Sequence, residues 1–480
     1  MKPSRGLKSF FLKLLAILII AAVFLGSFIW IQFFREEPEQ SFANEIERFK
    51  YGSIGGEQNA GIPYWIWIVL PRIFPDYLPG SGGYKSLGVT WEEGHELPVG
   101  FTKKVIGFPR VGNNCALCHA GTYRTKPDEV PTVVPGSPTQ ALDARGLFHF
   151  LFSAAQDSRF NADTILAQIG QMTNLSFVDR QLYRFVLIPV MRKKLVEQAQ
   201  KGAWIFEHDR PEWGPGRDDA FNLPKYFVVG LSVDETTGQC DFNSAWNLKI
   251  RNGPGLLFNW GGETPALRSV IVDSALGLGV RPGKAFENRL TELAKFLSDL
   301  PPPKYPFPID VVRANAGSAI YTAQCAECHE PGAAKTSHVI PIDEIGTDRE
   351  RLDSWTQKAA DAFNEKMKRL EFNRPATIKN NGYYSPPLDG IWLRAPYLHN
   401  GSVRTLRDLL NPPDQRAQSF YRGYDVIDPV NVGFKEPPIS QQQYFLLDST
   451  KRGNGNQGHT YGTQLSDEDK ENLLEYMKTL

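Results

Sequence analysis

A five-residue motif occurs twice in this 480-residue sequence, as Cys-Ala-Leu-Cys-His at residues 115–119 and as Cys-Ala-Glu-Cys-His at residues 325–329. Two thiols three positions apart can form thioether bonds to the two vinyl groups of one porphyrin, and the adjacent histidine then binds the iron. A Cys-x-x-Cys pair alone also fits a zinc site, but the histidine that follows both pairs favours haem. The sequence therefore predicts two covalently bound haem c groups, attached and ligated by Cys115, Cys118, His119, Cys325, Cys328 and His329.

The cysteine count and the charge balance limit the remaining chemistry. Five cysteines are present, so the two motifs leave Cys240 alone, and we expect it to be a buried thiol. The chain has 53 basic and 53 acidic residues, and without a net positive field it offers no general attraction for nucleic acid. Its length is sufficient for two or three domains, each with its own core.

The amino terminus has the pattern of a membrane anchor. Basic residues precede an almost unbroken apolar run from Leu14 to Phe34, and a run of this length spans a bilayer of about 30 Å. A cleavable signal peptide is the alternative, but its apolar region would be shorter. Because the basic residues lie before the run, we expect the amino terminus in the cytoplasm and the bulk of the chain in the periplasm, held by one helix in the inner membrane.

The remaining pattern predicts a mainly α fold with long loops and little strand, made of two cytochrome c-like haem domains. We place a cytoplasmic stub and transmembrane helix at residues 1–35, the first haem domain at 36–285 and the second haem domain at 286–480. Before the first motif, Gly107–Gly112 contains glycines and a proline, so no regular helix can lead into it. The aromatic run from Gly61 to Pro71 fits either a buried core or a surface in contact with lipid.

The second haem domain has the helix pattern of a small cytochrome c. Apolar residues at helical spacing predict one helix from Phe286 to Leu300 and another from about Val311 into the second motif. Gly317 on the latter lets another helix cross closely. We expect that partner to be the carboxyl-terminal helix, which begins after the N-cap residue Ser466.

In such a domain the sixth iron ligand comes from the loop before the last helix. Methionine is the usual residue, but none lies between Met367 and Met477, whereas His459 occupies that loop. We therefore predict His459 as the sixth ligand of the second haem, with His399 as its rival and His338 behind it. A histidine in this place lowers the reduction potential, because the thioether of methionine raises it.

The first haem has no comparable partner in the sequence. His149, on a predicted helix, is a candidate for its sixth ligand, although a lone histidine on a helix is more often simply packed. The other candidates, none with a specific context, are Met172, Met191, His95 and His208. An iron without such a ligand can bind O2 or peroxide. Arg217, in the polar segment Gly216–Asn222, fits either a partner for haem propionates or a surface salt bridge. Trp260, after a glycine-proline loop, fits an electron relay, a pocket wall or plain core.

Several segments resemble a known protein family. Arg394–Val403 and the residues that follow it are similar to the segment near the carboxyl-terminal haem of bacterial dihaem cytochrome c peroxidases. The Gly458-His459 loop, the Phe258–Trp260 segment and the Ile345–Asp348 turn resemble the rubber oxygenase and fatty-acid dioxygenase branch of that superfamily. The resemblance covers most of the chain after residue 50.

The resemblance implies different roles for the two haems. In the rubber oxygenases the amino-terminal haem holds the reacting O2, and the other haem has two histidine ligands. Carried over to this sequence, His119 anchors the reactive haem, His329 and His459 hold the second haem, and Trp260 stands in the distal region. The sequence departs from that branch in two ways, because it keeps the predicted anchor and is shorter than the secreted oxygenases.

The sequence leaves two main functional hypotheses. The first is a haem-dependent oxidoreductase, peroxidase-like or dioxygenase-like, which binds O2 or H2O2 at the first haem, uses the second as electron reservoir and has a lipophilic small molecule as a candidate substrate. The alternative is a pure electron-transfer cytochrome that exchanges electrons with a respiratory complex or a small cytochrome. A haem sensor or structural subunit is a third hypothesis. An open sixth position at the first haem favours catalysis, and a bound ligand favours electron transfer.

Removing one motif tests the predicted number of haems. The double substitution Cys115→Ala with Cys118→Ala removes both attachment points of the first haem, so the protein should keep one covalent haem instead of two, measured as pyridine haemochrome per protein. Cys325→Ala with Cys328→Ala should do the same at the second motif. An unchanged haem content in either variant would refute the assignment.

Overall fold

The computed structural model describes residues 5–438 and 444–480. Helices predominate, and within the described residues the strands form one three-stranded and five two-stranded antiparallel sheets. The predicted fold class, mainly α with long loops, little strand and an apolar amino-terminal helix, is confirmed.

The α-helices are α1 (Arg5–Phe33), α2 (Glu45–Tyr51), α3 (Glu57–Ala60), α4 (Tyr64–Ile73), α5 (Ala116–His119), α6 (Ala144–Gln156), α7 (Ala162–Gly170), α8 (Phe177–Leu182), α9 (Ile188–Lys201), α10 (Leu267–Gly277), α11 (Lys284–Asp299), α12 (Val311–Gln324), α13 (Ala326–His329), α14 (Ile342–Ile345), α15 (Glu350–Ser354), α16 (Gln357–Arg369), α17 (Leu406–Leu409) and α18 (Asp467–Met477). Two further turns, Tyr183–Leu187 and Pro224–Val229, are π-helical. The strands are β1 (Ile62–Pro63), β2 (Phe101–Ile106), β3 (Phe108–Asn113), β4 (Ala120–Tyr123), β5 (Thr132–Pro135), β6 (Arg217–Asp219), β7 (Gln239–Asp241), β8 (Val339–Pro341), β9 (Gly382–Tyr384), β10 (Ser419–Arg422), β11 (Ile427–Asp428), β12 (Gly433–Phe434) and β13 (Phe445–Asp448).

The helix α1 is long and apolar enough to cross a membrane. Its segment Leu12–Phe33 has 22 residues, none of them buried against the rest of the chain. A signal sequence has the same properties, so the uncleaved anchor stays a prediction, and the first four residues of the predicted cytoplasmic stub lie outside the described residues. After the helix, Glu36 pairs with Ile106 and Phe33 packs edge-on against Phe108, so α1 ends on the β2–β3 hairpin.

The aromatic run before the first motif belongs to the hydrophobic core. Most of it forms α4, in which Ile66, Val69 and Leu70 are completely buried. These side chains pack in one cluster with Phe150 of α6 and Ile165 of α7. The interpretation of this run as buried core is confirmed, and its interpretation as a lipid-facing surface is not supported.

A β-hairpin leads into the first motif. Strands β2 and β3 pair along their full length, and Gly107 at the turn has a φ of 73°, a left-handed conformation that glycine adopts without steric cost. The prediction that no regular helix precedes this motif is confirmed. Because α5 has four residues, sheet and loop contacts hold the first attachment site.

The helices around the second motif lie close to their predicted positions. α11 begins at Lys284, and α12 ends at Gln324, directly before the motif. The side-chain oxygen of Ser466 accepts a hydrogen bond from the backbone N–H of Asp469 at 3.1 Å, so the predicted N-cap of α18 is confirmed. The domain boundary at residue 286 stays a prediction, since α11 runs across it.

Helices α12 and α18 cross at Gly317. A Cβ atom at this position would lie 2.0 Å from the backbone oxygen of Asn472, so glycine is required for the two backbones to approach this closely. Leu473 and Leu474 of α18 are buried at this contact and share a core with Tyr321 of α12. The predicted crossing of the carboxyl-terminal helix over Gly317 is confirmed.

Adding one methyl group tests this crossing. Gly317→Ala forces the two backbones apart, so the free energy of unfolding should fall by about 1–3 kcal/mol, measured by urea denaturation of the holoprotein. The matched control is Gly277→Ala at the end of α10, where an added Cβ atom meets nothing within 4 Å. This control should keep the stability of the wild type or gain slightly. Equal losses in both variants would show that the crossing does not require glycine.

Candidate haem centres

Both Cys-x-x-Cys-His motifs fold into the same short helical turn. In each, the histidine N–H donates to the carbonyl oxygen of the first cysteine at 3.0 Å, from His119 to Cys115 and from His329 to Cys325. One helical turn thus brings two thiols and an imidazole together, as thioether attachment to a single porphyrin requires. All four thiols are free, and burial raises the pKa of Cys115 to about 11 and that of Cys325 to about 12.

A backbone carbonyl holds each motif histidine. His119 Nδ1 lies 2.8 Å from Asn243 O, and His329 Nδ1 lies 2.7 Å from Pro386 O. Because a carbonyl oxygen can only accept, Nδ1 carries the proton and Nε2 keeps a free lone pair for a metal ion. Burial also lowers the pKa of both imidazoles, so both are neutral and able to ligate.

The second motif histidine faces another histidine. The ring centroids of His329 and His459 are 6.3 Å apart. A bond from a metal ion to an imidazole nitrogen is about 2 Å long, so two imidazoles on opposite sides of one ion have centroids about 6 Å apart. His459 Nδ1 is buried without a hydrogen-bond partner in the described chain, and burial lowers the pKa of this ring to about 3. The pair fits a haem iron with two histidine ligands.

Hydrogen bonds from two directions hold the loop that carries His459. The backbone N–H of His459 donates to Ile345 O at 2.8 Å. Arg416 donates to the carbonyl oxygens of Gly458 at 2.8 Å and His459 at 3.1 Å. Gly458 lies so close to Gly346 that a Cβ atom would be 2.3 Å from the carbonyl carbon of Gly346. His459 has a φ of 45°, and these contacts maintain this left-handed conformation, which costs a non-glycine residue about 1–3 kcal/mol.

His399, the rival ligand, already has a partner inside the protein. Its Nε2 lies 2.9 Å from the Tyr383 hydroxyl, and the two rings stack with centroids 3.9 Å apart. Its backbone oxygen accepts a hydrogen bond from Asp241 N–H at 2.9 Å. The geometry therefore favours His459 over His399 as a ligand of the second centre.

The first centre differs from the second. Within the described chain no other histidine ring packs against His119, and the ring nearest to it is Phe242, with centroids 6.4 Å apart. His149 is exposed on α6, where it lies beside Ser153 and Phe206. This position favours a surface side chain over a sixth ligand. The first centre thus pairs its histidine with an aromatic ring, and the second centre pairs its histidine with a second imidazole.

Arg217 is completely buried in β6. Its guanidinium donates to the backbone oxygens of Trp213 and Asn400 and to the side-chain oxygen of Asn454. Removal from water, reinforced by the positive charge of Arg422, lowers its pKa to about 9. Protein oxygens take up its donors, which favours a structural role over the predicted pairing with haem propionates.

Trp260 is bonded to the segment that orients His119. Its indole N–H donates to Asp241 O at 2.7 Å. Two residues further along the chain, Asn243 supplies the oxygen that holds His119. The indole therefore fixes the backbone that positions the first histidine.

Trp260 is also bonded to the segment that orients His329. Its backbone oxygen accepts the N–H of Tyr384 at 2.8 Å, and Pro386, two residues later, holds His329. A continuous path of covalent and hydrogen bonds therefore joins the two motif histidines through Trp260. The predicted relay role has a structural basis, although the indole also packs beside the buried side chains of Ile342 and Leu352.

Asp218 is a candidate functional residue that sequence reasoning missed. It pairs with Cys240 across the β6–β7 ladder. Burial raises the pKa of the Cys118 thiol, and the nearby carboxylate of Asp218 adds to this shift. Burial, reinforced by the nearby carboxylate of Asp219, raises the pKa of Asp218 to about 7. A carboxyl group with this pKa can hold or release a proton at neutral pH. In the sequence, Asp218 is one of several polar residues in a short polar segment, and nothing there distinguishes it from its neighbours.

Sequence reasoning also missed the groups that orient the histidines. The oxygens of Asn243 and Pro386 are backbone atoms, which every residue offers, so no residue type signals them. Arg416 is buried, and it holds the His459 loop because backbone oxygens of residues 456–459 lie against its guanidinium. The sequence does not show that these two segments meet.

Two Cys-x-x-Cys-His turns, each with a histidine whose Nε2 is free, are the arrangement that covalent attachment of haem c requires. A family model described as RoxA-like, cytochrome c-like matches residues 382–421, the region that contains Arg394–Val403. This match bears out the predicted resemblance to the rubber oxygenase branch in the segment it covers, while the other three resembling segments, at residues 258–260, 345–348 and 458–459, lie outside it. It also implies covalently bound haem c, which the thiols and free imidazole nitrogens described above can hold.

Two curated proteins and one solved structure are also similar. The uncharacterised proteins y4iM and y4iJ of Sinorhizobium fredii (strain NBRC 101917 / NGR234) are 29% identical over 285 residues and 27% identical over 249 residues. These matches cover 50% and 38% of this chain and 64% and 41% of the relatives, so the chain spans less than two thirds of their length. Kuenenia stuttgartiensis hydrazine synthase, pressurised with 20 bar xenon, has a TM-score of 0.27 and 16% identity over 59% of this chain and 88% of that chain. This likeness is too slight to support an argument.

Removing His459 tests the histidine pair. In the protein with haem bound, His459→Ala takes away the ring that faces His329, so the second haem should change from low-spin to high-spin in the visible spectrum. The first haem should be unchanged. His399→Ala is the matched control, because His399 is bonded to Tyr383, and it should alter neither spin state. A change in the control variant without one in His459→Ala would overturn the assignment.

Proposed function

We propose that this chain is a membrane-anchored, periplasmic dihaem c-type oxidoreductase. One haem is attached at each motif; the first acts on O2 or H2O2, and the second holds and passes electrons. The observation that carries this proposal is the difference between the centres, since His329 lies opposite His459 with ring centroids 6.3 Å apart, whereas within the described chain no second histidine ring packs against His119. An iron with two histidine ligands passes electrons, and an iron with one protein ligand can bind a small molecule.

The residues of the first centre hold the cofactor and a proton. When bound, haem supplies the one-electron and oxygen chemistry. His119 would hold the iron through Nε2, and its Nδ1–H bond to Asn243 O fixes the ring and would make it a stronger ligand. Asp218, whose pKa of about 7 allows both protonation states, holds or releases a proton beside Cys118. Phe242 contributes an apolar wall.

Trp260 supports electron exchange between the two centres. Its indole N–H bonds to Asp241 and its backbone oxygen to Tyr384, and each of these residues belongs to a segment that holds one motif histidine. Covalent and hydrogen-bonded links carry electronic coupling better than gaps through space. Electrons stored at the second haem therefore have a bonded route to the first.

The amino-terminal helix supports the proposed location. An apolar helix of this length fits an anchor in the inner membrane, and covalent haem attachment in bacteria is completed on the periplasmic side. A respiratory complex or a small cytochrome is the proposed electron partner. The resemblance to rubber oxygenases favours a lipophilic small molecule as substrate.

The alternative is a pure electron-transfer cytochrome. It requires a sixth ligand at the first haem, and His149 is the first of the candidates that the sequence offers for this role. Because His149 is exposed on α6, the structure favours the oxidoreductase.

Carbon monoxide distinguishes these two functions. It binds a ferrous haem where a coordination position is open, so the reduced protein should bind about one CO per two haems. The measurement is a titration followed by the shift of the Soret band.

The positive control for this titration is His459→Ala, which opens the second iron and should raise the stoichiometry to about one CO per haem. If the wild type binds no CO and His149→Ala creates a CO site, then His149 caps the first haem. That result would establish the electron-transfer alternative.

A further inference from the structure

Apolar side chains are exposed along α8, the π-helical turn that follows it and the start of α9. We call this surface the Phe177–Val190 patch, and Phe177 is 78% exposed and Phe185 70% exposed. After residue 34, these two are the only exposed phenylalanines in the described chain. The exposed apolar members of the patch are Phe177, Val178, Phe185 and Val190.

The same segment is apolar on its inner face. Tyr183, Leu187 and Ile188 are buried in the hydrophobic core that also contains α4. A helix at a water-exposed surface normally presents polar residues outward. Since the inner face already supplies the packing that folds the segment, the outward phenylalanines serve contact with something outside the chain.

The charge around the patch identifies the chemistry of that contact. Residues 177–201 contain six lysines and arginines and two acidic residues, in a protein whose net charge is zero. Arg184 pairs with Asp163, and Arg192 donates to backbone oxygens of residues 155 and 157, so these two face the protein. The four exposed basic residues are Arg180, Lys193, Lys194 and Lys201. Bulky apolar side chains beside basic ones are the combination that binds the surface of a bilayer with anionic lipids.

The patch belongs to the part of the chain on which the membrane helix ends. Phe33 at the end of α1 packs against Phe108 of β3, and β3 pairs with β1, directly before α4. The Tyr183 hydroxyl lies beside the backbone of Trp65 in the first turn of α4. Two strands, β3 and β1, and the first turn of α4 thus connect the end of α1 to the segment that carries Phe185.

We propose that the Phe177–Val190 patch inserts into the bilayer surface as a second membrane contact, an inference that rests on the proposed anchor. Its apolar side chains enter the boundary between head groups and acyl chains, and the neighbouring basic residues meet lipid phosphates. The anchored protein is therefore held against the membrane and does not move freely on its single helix.

Lipid-dependent fluorescence quenching tests this contact in the full-length holoprotein. Phe177→Cys and Phe185→Cys are each labelled with bimane and placed, one copy per disc, in nanodiscs of phosphatidylethanolamine and phosphatidylglycerol. Doxyl-labelled phosphatidylcholine should reduce the fluorescence about twofold, because the labels lie about 5–10 Å into the lipid boundary. The fluorescence of each labelled protein is expressed as the ratio of its intensities in discs with and without doxyl lipid. Quenching by haem affects both intensities equally and so cancels from this ratio.

The matched control is Val312→Cys on α12, a site that is 80% exposed and outside the patch. Its fluorescence should not respond to doxyl lipid. If the labels at positions 177 and 185 respond no more than the label at position 312, the proposal is wrong. The labels can also become shielded from solvent as the protein concentration rises in detergent, while showing no response to lipid in discs. This result would identify a second copy of the chain as the occupant of the patch and would overturn the proposal.

The intact mass of the mature protein tests the anchor separately. If residues 1–33 are absent, the anchor is wrong, and the same labels are then measured with added vesicles of the same lipids. Quenching by those vesicles would show that the patch contacts lipid without the anchor. The absence of quenching would refute this membrane contact.

Discussion

The two candidate haem centres depend on two hydrogen bonds, each from a histidine Nδ1–H to a backbone oxygen. These bonds fix the tautomer of His119 and His329, leave Nε2 free and hold each ring in one orientation. The two accepting segments are tied together through Trp260. The same contacts that prepare two metal-binding nitrogens therefore also set the position of one centre relative to the other.

Buried ion pairs join the loops between the centres. Arg422 pairs with Asp241, and Arg351 pairs with Glu263, in surroundings where an unpaired charge would be costly. Asp241 is also the residue whose backbone oxygen binds the Trp260 indole, so the ion pair supports the link between the centres. Among the described residues Asp218 forms no salt bridge, and burial, reinforced by Asp219 and opposed by the charge of Arg351, raises its pKa to about 7. A carboxyl group with this pKa is suited to proton transfer.

The features that sequence reasoning predicted depend on local chemistry. Cys-x-x-Cys-His turns, the apolar first helix and the close crossing at Gly317 each follow from a few neighbouring residues, and His459 followed from its place before the last helix. The features that sequence reasoning missed depend on contacts between segments that are far apart in the sequence. Arg217 is held by oxygens from residues 400 and 454, and the acidity of Asp218 depends on burial that no local pattern reveals. The domain boundary was likewise placed by pattern alone, and α11 runs across it.

The difference between the two irons is measured most directly by electron paramagnetic resonance of the fully oxidised wild-type protein. The second haem, between His329 and His459, should have a low-spin signal typical of two imidazole ligands. The first haem, held by His119 with no second histidine beside it in the described chain, should have a high-spin signal of equal integrated intensity. Two low-spin signals of equal intensity would contradict this division of roles.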